Sequence, residues 1–182
     1  MTMRILDAIN QEISAVLAAT DEQQLDDALP LFNQQRRIFV LGAGRSGLMA
    51  KAFAMRLMHI GYTPFVIGET ITPSIQAGDL LLAVSGSGST RSIVELADKA
   101  HQDGATLLAV TSNGHSPLAQ LADQTIVVPG ATKAGDGIKS IQLLSTLFDQ
   151  SVHLVLDALC LKLARRDGTD NGAAKSRHSN ME

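Results

Sequence analysis

Hydroxyl and glycine residues crowd into one run, Ser85-Gly86-Ser87-Gly88-Ser89-Thr90, directly after the apolar stretch Leu81-Leu82-Ala83-Val84. Such a run joins side-chain hydroxyls to free backbone N–H groups, and a helix opening at Arg91 adds the positive end of its dipole. That combination suits a phosphate monoester. A second loop, Gly42-Ala43-Gly44-Arg45-Ser46-Gly47, follows Ile38-Phe39-Val40-Leu41 in the same manner and leads into a helix running to about Ile60. Ser46, Ser85, Ser87 and Thr90 are the candidate phosphate donors, and Ser89 can join them. Arg45 can neutralise the phosphate or bind a sugar hydroxyl, or it can stand in an exposed first turn with no ligand. Two such loops at the C-terminal ends of parallel strands predict a small phosphorylated metabolite held between them.

Proton chemistry needs a carboxylate or an imidazole. Asp149 belongs to a narrow polar stripe, Gln142, Thr146, Asp149, His153 and Asp157, on an otherwise apolar segment. Glu69 lies at the end of a strand beside Thr70 and Thr72, and His59 ends a helix one turn after Arg56. A carboxylate can serve as base and a histidine as acid near neutral pH. Plainer readings stand beside these: a solvated polar stripe, a loop glutamate in water, an imidazole bonded to helix-end carbonyls, and a glycine-serine cluster that only marks turns.

These residues must be positioned by an alternation of elements. Strands are expected near 37–41, 63–67, 79–84, 105–110 and 125–128, with helices near 46–60, 91–103 and 117–122. Near-continuous Val, Ile and Leu in the strands predict a parallel sheet buried on both faces. The fold class is therefore α/β, a five-stranded parallel sheet flanked by helices in a three-layer, flavodoxin- or Rossmann-like sandwich. Ile5, Leu6, Ile9, Ile13, Val16 and Leu17 define an amphipathic N-terminal helix, and Thr20-Asp21 caps a second one carrying Leu25, Leu29 and Phe32. A glycine-containing loop over 129–139 opens into a long helix from about Ser140 to Arg166. That helix is apolar on most of its circumference, which predicts burial in a subunit interface as well as in the core.

At 182 residues with a formal charge of −3, the chain reads as one domain over 1–182, with N-terminal helices over 1–34 and a tail over 167–182. Six aromatics and no basic run before the tail give no footprint for nucleic acid or membrane. The N-terminal twenty residues read as neither signal peptide nor span, so a cytoplasmic protein is expected. Cys160, the one cysteine, reads as a buried, inert thiol. The tail, by composition, reads as loose.

Gly42, Gly44 and Gly47 also fit G-x-G-x-x-G, with Glu69 standing 22 residues beyond Gly47. A dinucleotide reading is weak, because it leaves the second loop without a task and the chain too short for a substrate domain. The lysine-bearing P-loop pattern is absent.

The segments IFVLGAGRSGLMAKAFAMRLMHIGYTPFVIGE at 38–69, SGSGST at 85–90, SIQLLSTLFDQ at 140–150 and the ending HSNME resemble the 6-phospho-3-hexuloisomerase family, a branch of the sugar isomerase (SIS) fold. The resemblance spans essentially the whole chain. It implies interconversion of D-arabino-hex-3-ulose 6-phosphate and D-fructose 6-phosphate through an enediol, the second step of formaldehyde fixation in the ribulose monophosphate pathway, by a homotetramer that needs no metal or nicotinamide. It implies Asp149 as the base, where relatives carry glutamate in GSLFEQ, and places Ser89 where many carry glutamate in SGSGET. His59 matches the RLMH element, and Glu69 remains the other carboxylate candidate. Gly44, Arg45, Gln142 and His178 complete the candidate substrate contacts. It further implies that the terminus is ordered against a neighbouring subunit. A pentose 5-phosphate isomerase and a non-catalytic sugar-phosphate-binding regulatory module are the alternatives.

Overall fold

Alternate residues along the strands divide between two faces, as a pleated ribbon requires. Ile38, Val40, Leu80, Leu82, Val84, Leu108 and Val110 enter one core, while Phe39, Leu41, Leu81, Ala83, Leu107 and Ala109 enter the other. A computed structural model describes residues 3–135 and 137–181. Five strands, β1 (Arg37–Gly42), β2 (Thr63–Val66), β3 (Leu80–Val84), β4 (Thr106–Thr111) and β5 (Gln124–Val127), form an all-parallel sheet in the order β2-β1-β3-β4-β5.

The first face is covered by α1 (Ile5–Ala19), α2 (Glu22–Ala28), α3 (Gly44–His59) and α6 (Thr146–Arg166), and the second by α4 (Arg91–Gln102) and α5 (Pro117–Leu121). Side-chain caps explain two short helices: Asp21 accepts from the Gln23 N–H, and Ser116 accepts from the Ala119 N–H ahead of Pro117 at the first turn. No helix among the described residues is long and apolar enough to cross a membrane.

Two expectations need correction. The long helix begins at Thr146, six residues later than its apolar periodicity suggests. Ser140, Ile141 and Gln142 are held out of helical geometry by Glu12 of α1, which accepts from the Ser140 hydroxyl (2.7 Å), the Ile141 N–H (2.7 Å) and the Gln142 side-chain amide (3.2 Å). Leu144 then takes a positive φ of 57°, which no α-helix contains. The tail is not loose either: α7 (Asn171–Arg177) is capped by Asp170 and packs on α3. Arg177 donates to the His59 carbonyl (3.5 Å), and the His178 ring stacks on His59 with centroids 5.0 Å apart. Glu182 of the terminal pattern lies outside the described residues.

Candidate active site

The strand order reverses direction at the β1–β3 pair, so the connections leaving these two strands pass to opposite faces and open a crevice at their C-terminal ends. A cavity of about 340 Å³ occupies this crevice, lined by Gly44, Arg45 and Ser46 after β1, Ser85, Ser87 and Thr90 after β3, and Asp149 of α6.

Backbone contact fixes both loops. Gly47 packs so closely on the end of β1 that a Cβ there would lie 2.6 Å from the Gly42 carbonyl oxygen. The first turn of α3 is thereby held against the sheet. In the second loop Gly88 has φ +62°, and a Cβ on it would fall 2.0 Å from Ser116 Oγ. Its carbonyl accepts from the Leu118 N–H (2.9 Å), tying the loop to α5. The Ser85 hydroxyl, nearly buried, donates to Thr90 Oγ1 (3.2 Å), and Ser89 donates from its N–H (3.3 Å) and its hydroxyl (3.1 Å) to Ser87 Oγ.

The N-termini of α3, α4 and α6 all open on this cavity through Gly44–Ser46, Thr90 and Thr146. Three positive dipole ends therefore face one small volume, an arrangement that attracts anions. Arg45 and Lys133 add cationic side chains to the lining.

Among the described residues of the lining, Asp149 is the acidic member. It is 2% exposed, and its Oδ1 accepts from the Ser46 hydroxyl at 2.7 Å, while its Oδ2 lies 4.0 Å from Arg45 Nε. Arg45 is held in turn by a bond from Nη1 to Thr146 Oγ1 (3.2 Å). Burial pushes the Asp149 carboxyl above its ordinary range, and the Ser46 donor and the charges of Arg45 and Lys133 only partly offset this. A carboxylate so tuned holds a proton more readily than an ordinary aspartate does.

The structure thus gathers Gly44, Arg45, Ser46, Ser85, Ser87, Thr90 and Asp149 around one cavity. Ser89 sits beside it, bonded to Ser87. The other candidates lie elsewhere. Glu69 follows β2, half-exposed and 3.8 Å from Lys51. Gln142 bonds Glu12 and Gln150. His59 ends α3, about 22 Å along the axis from Gly44 at 1.5 Å per residue, and His178 is beside it. Lys133 and the wall residues Leu144 and Ile93 were missed by reading the sequence. Lys133 sits in an irregular loop with no motif of its own, placed by the Ser145 hydroxyl, which accepts from its N–H (3.3 Å).

A parallel sheet with two glycine-and-hydroxyl loops and a buried carboxylate at its switch point is an α/β arrangement suited to a small anionic ligand. The SIS domain family model matches residues 31–154. The chain belongs to the SIS domain family. It is 40% identical to the 3-hexulose-6-phosphate isomerase of Mycobacterium gastri over 97% of this chain and 89% of that one. It is 38% identical to the protein of the same name from Bacillus subtilis over 96% and 95% of the two chains. A solved structure from Methanococcus jannaschii, whose function was inferred as 3-hexulose-6-phosphate isomerase, superposes with a TM-score of 0.84 at 31% identity over 97% and 98% of the chains.

Proposed function

We infer that this chain is a 3-hexulose-6-phosphate isomerase, interconverting D-arabino-hex-3-ulose 6-phosphate and D-fructose 6-phosphate. The observation that carries the reading is that a buried, proton-avid carboxylate, Asp149, opens on the same cavity as the hydroxyl-and-amide loop of Ser85, Ser87 and Thr90. A six-carbon ketose phosphate anchored by its phosphate in that loop would present its middle carbons to the opposite wall.

The chemistry is a paired proton transfer. Asp149 takes the proton from C2 of the 3-ketose, the C–H electrons form the C2=C3 bond, and the negative charge moves onto O3. The hydroxyl proton passes from O2 to O3, the electron pair returns to make the C2 carbonyl, and Asp149 delivers its proton to C3. Nothing is oxidised or reduced overall. Lys133, Arg45 and the helix ends supply the positive field in which the enediolate forms, and such fixed charge stabilises a developing oxyanion without reorganisation.

The enzyme works as a homo-oligomer, a tetramer by resemblance to its family, in the cytoplasm. Support for association comes from exposed apolar pairs spaced seven residues apart, Leu48 with Met55 on α3 and Leu154 with Leu161 on α6, which form outward stripes. His59 and His178 have no reach to the cavity of their own chain, so any part they take in turnover is played at a neighbouring copy.

The test is incubation with fructose 6-phosphate in D₂O, followed by proton NMR. Exchange at C3 with appearance of a 3-ketose is expected. Exchange at C1 would indicate an aldose–ketose isomerase, and binding without exchange would indicate a regulatory module.

A further inference from the structure

We propose that Ser46 is a positioning residue for the Asp149 carboxylate and that its hydroxyl contributes no ligand to the phosphate. The inference rests on the isomerase reading and deepens it. A serine hydroxyl carries one proton, and here that proton is directed to Asp149 Oδ1 at 2.7 Å. A phosphate dianion offers acceptors only, so a hydroxyl committed to Asp149 has nothing left to donate to it. The seat loses little, because Ser85, Ser87 and Thr90 line the cavity on the loop opposite, next to the start of α4.

The arrangement also makes the two carboxylate oxygens unequal. Oδ1 is occupied by Ser46, whereas among the described residues Oδ2 has the Arg45 guanidinium only at 4.0 Å, beyond hydrogen-bond range. Oδ2 is therefore the oxygen that receives the substrate proton. Among the described residues, the charged groups facing the carboxylate are Arg45 from α3 and Lys133 from the loop preceding α6.

Rigidity comes from the backbone. The first turn of α3 cannot rise from β1 without opening the Gly42–Gly47 contact, so Ser46 approaches α6 from a fixed platform. From the α6 side, the Asp149 N–H donates to the Ser145 carbonyl at 2.9 Å. An aspartate held at both ends in this way keeps one rotamer through proton uptake and return.

The experiment compares the unaltered enzyme with Ser46→Ala, Ser46→Thr and Ser87→Ala. It reads kcat and KM for the hexulose phosphate from acid to neutral pH, with inorganic phosphate as competitive inhibitor. Turnover by the unaltered enzyme is the control for the isomerase reading, and its absence would refute that reading whatever the variants do. Ser46→Ala is expected to lower kcat about ten- to a hundred-fold, as loss of a bond to a charged group implies. Its acid limb should move to higher pH, with phosphate inhibition unchanged. Ser46→Thr, which keeps the hydroxyl, should restore both rate and limb. Ser87→Ala should show the opposite pattern, weaker phosphate inhibition with an unmoved limb. Weaker phosphate inhibition in Ser46→Ala with kcat and limb unaltered would overturn the proposal, as would a Ser46→Ala enzyme indistinguishable from the parent.

Discussion

Gly42 and Gly47 meet backbone to backbone, leaving a Cβ on Gly47 only 2.6 Å from the Gly42 carbonyl oxygen and one on Gly42 only 2.9 Å from the Gly47 Cα. The partner on each side is main chain, so neither can swing away. Gly47→Ala must lift the first turn of α3 and carry Arg45 and Ser46 with it. Overpacking of this kind lowers the melting temperature by roughly 3–10 °C in a domain of this size. Calorimetry of the variant, paired with turnover, checks this; an unshifted midpoint would show the helix free to move.

Asp149→Asn removes the proposed base while leaving a side chain of the same shape. Turnover should fall by about 10²–10⁴-fold, with phosphate inhibition retained. Stability should move the other way. Because burial raises the carboxyl's pKa in the fold, Asp149 contributes stability that is present below its unfolded value and lost as pH rises through its folded value. At neutral pH the neutral amide escapes that loss, so the variant should melt higher than the parent. A lower midpoint would contradict this sign.

The same shift sets the pH profile. The proposed base must be ionised to act, so kcat/KM should fall on the acid side at a pH above the ordinary aspartate value of 3.8. Lys133→Met removes a charge that favours the ionised form, and its acid limb should lie higher still. A limb that stays in place would mean that the ammonium points away from the carboxylate during turnover.

Glu12 gives a prediction remote from the chemistry. Burial pulls its carboxyl upward, but donors from Ser140, Ile141 and Gln142 outweigh that and hold it below 4.5. Its contribution is thus present above its unfolded value and lost as pH falls through the folded one. Glu12→Ala should speed hydrogen exchange at the Ile141 amide and raise KM, since Leu144 and Ser145 line the cavity two and three residues past Gln142. Unchanged exchange would assign the hold on this segment to other bonds.

Cys160, 1% exposed within α6, should resist thiol reagents in the folded enzyme, because burial pushes its thiol up to about 12. Labelling at the rate seen in denaturant would refute that.

Much of this molecule could be read from residue order. The strand positions follow from runs such as Leu80–Val84, apolar without interruption because both faces are covered. The two anion loops follow from glycines that a Cβ would obstruct. The start of α6 was misread because Ile141 and Leu144 keep helical spacing yet are 65% and 73% exposed, and the bond that holds them out comes from Glu12, more than a hundred residues away in the chain. Lys133 was invisible for a related reason: an irregular loop has no period to betray which residue it turns inward. His59 and Glu69 carry suitable chemistry, but helix length and sheet position keep them from their own cavity.

The three helix ends that converge on the cavity have a consequence for how the enzyme can change. Their attraction for an anion is made of peptide groups, which neither titrate nor disappear when a side chain is replaced. On the proposed reading, phosphate anchoring should therefore survive side-chain substitutions that abolish catalysis. Selection for a different sugar would leave the anchor alone and act on Ile93 and Leu144, whose side chains form the apolar part of the wall.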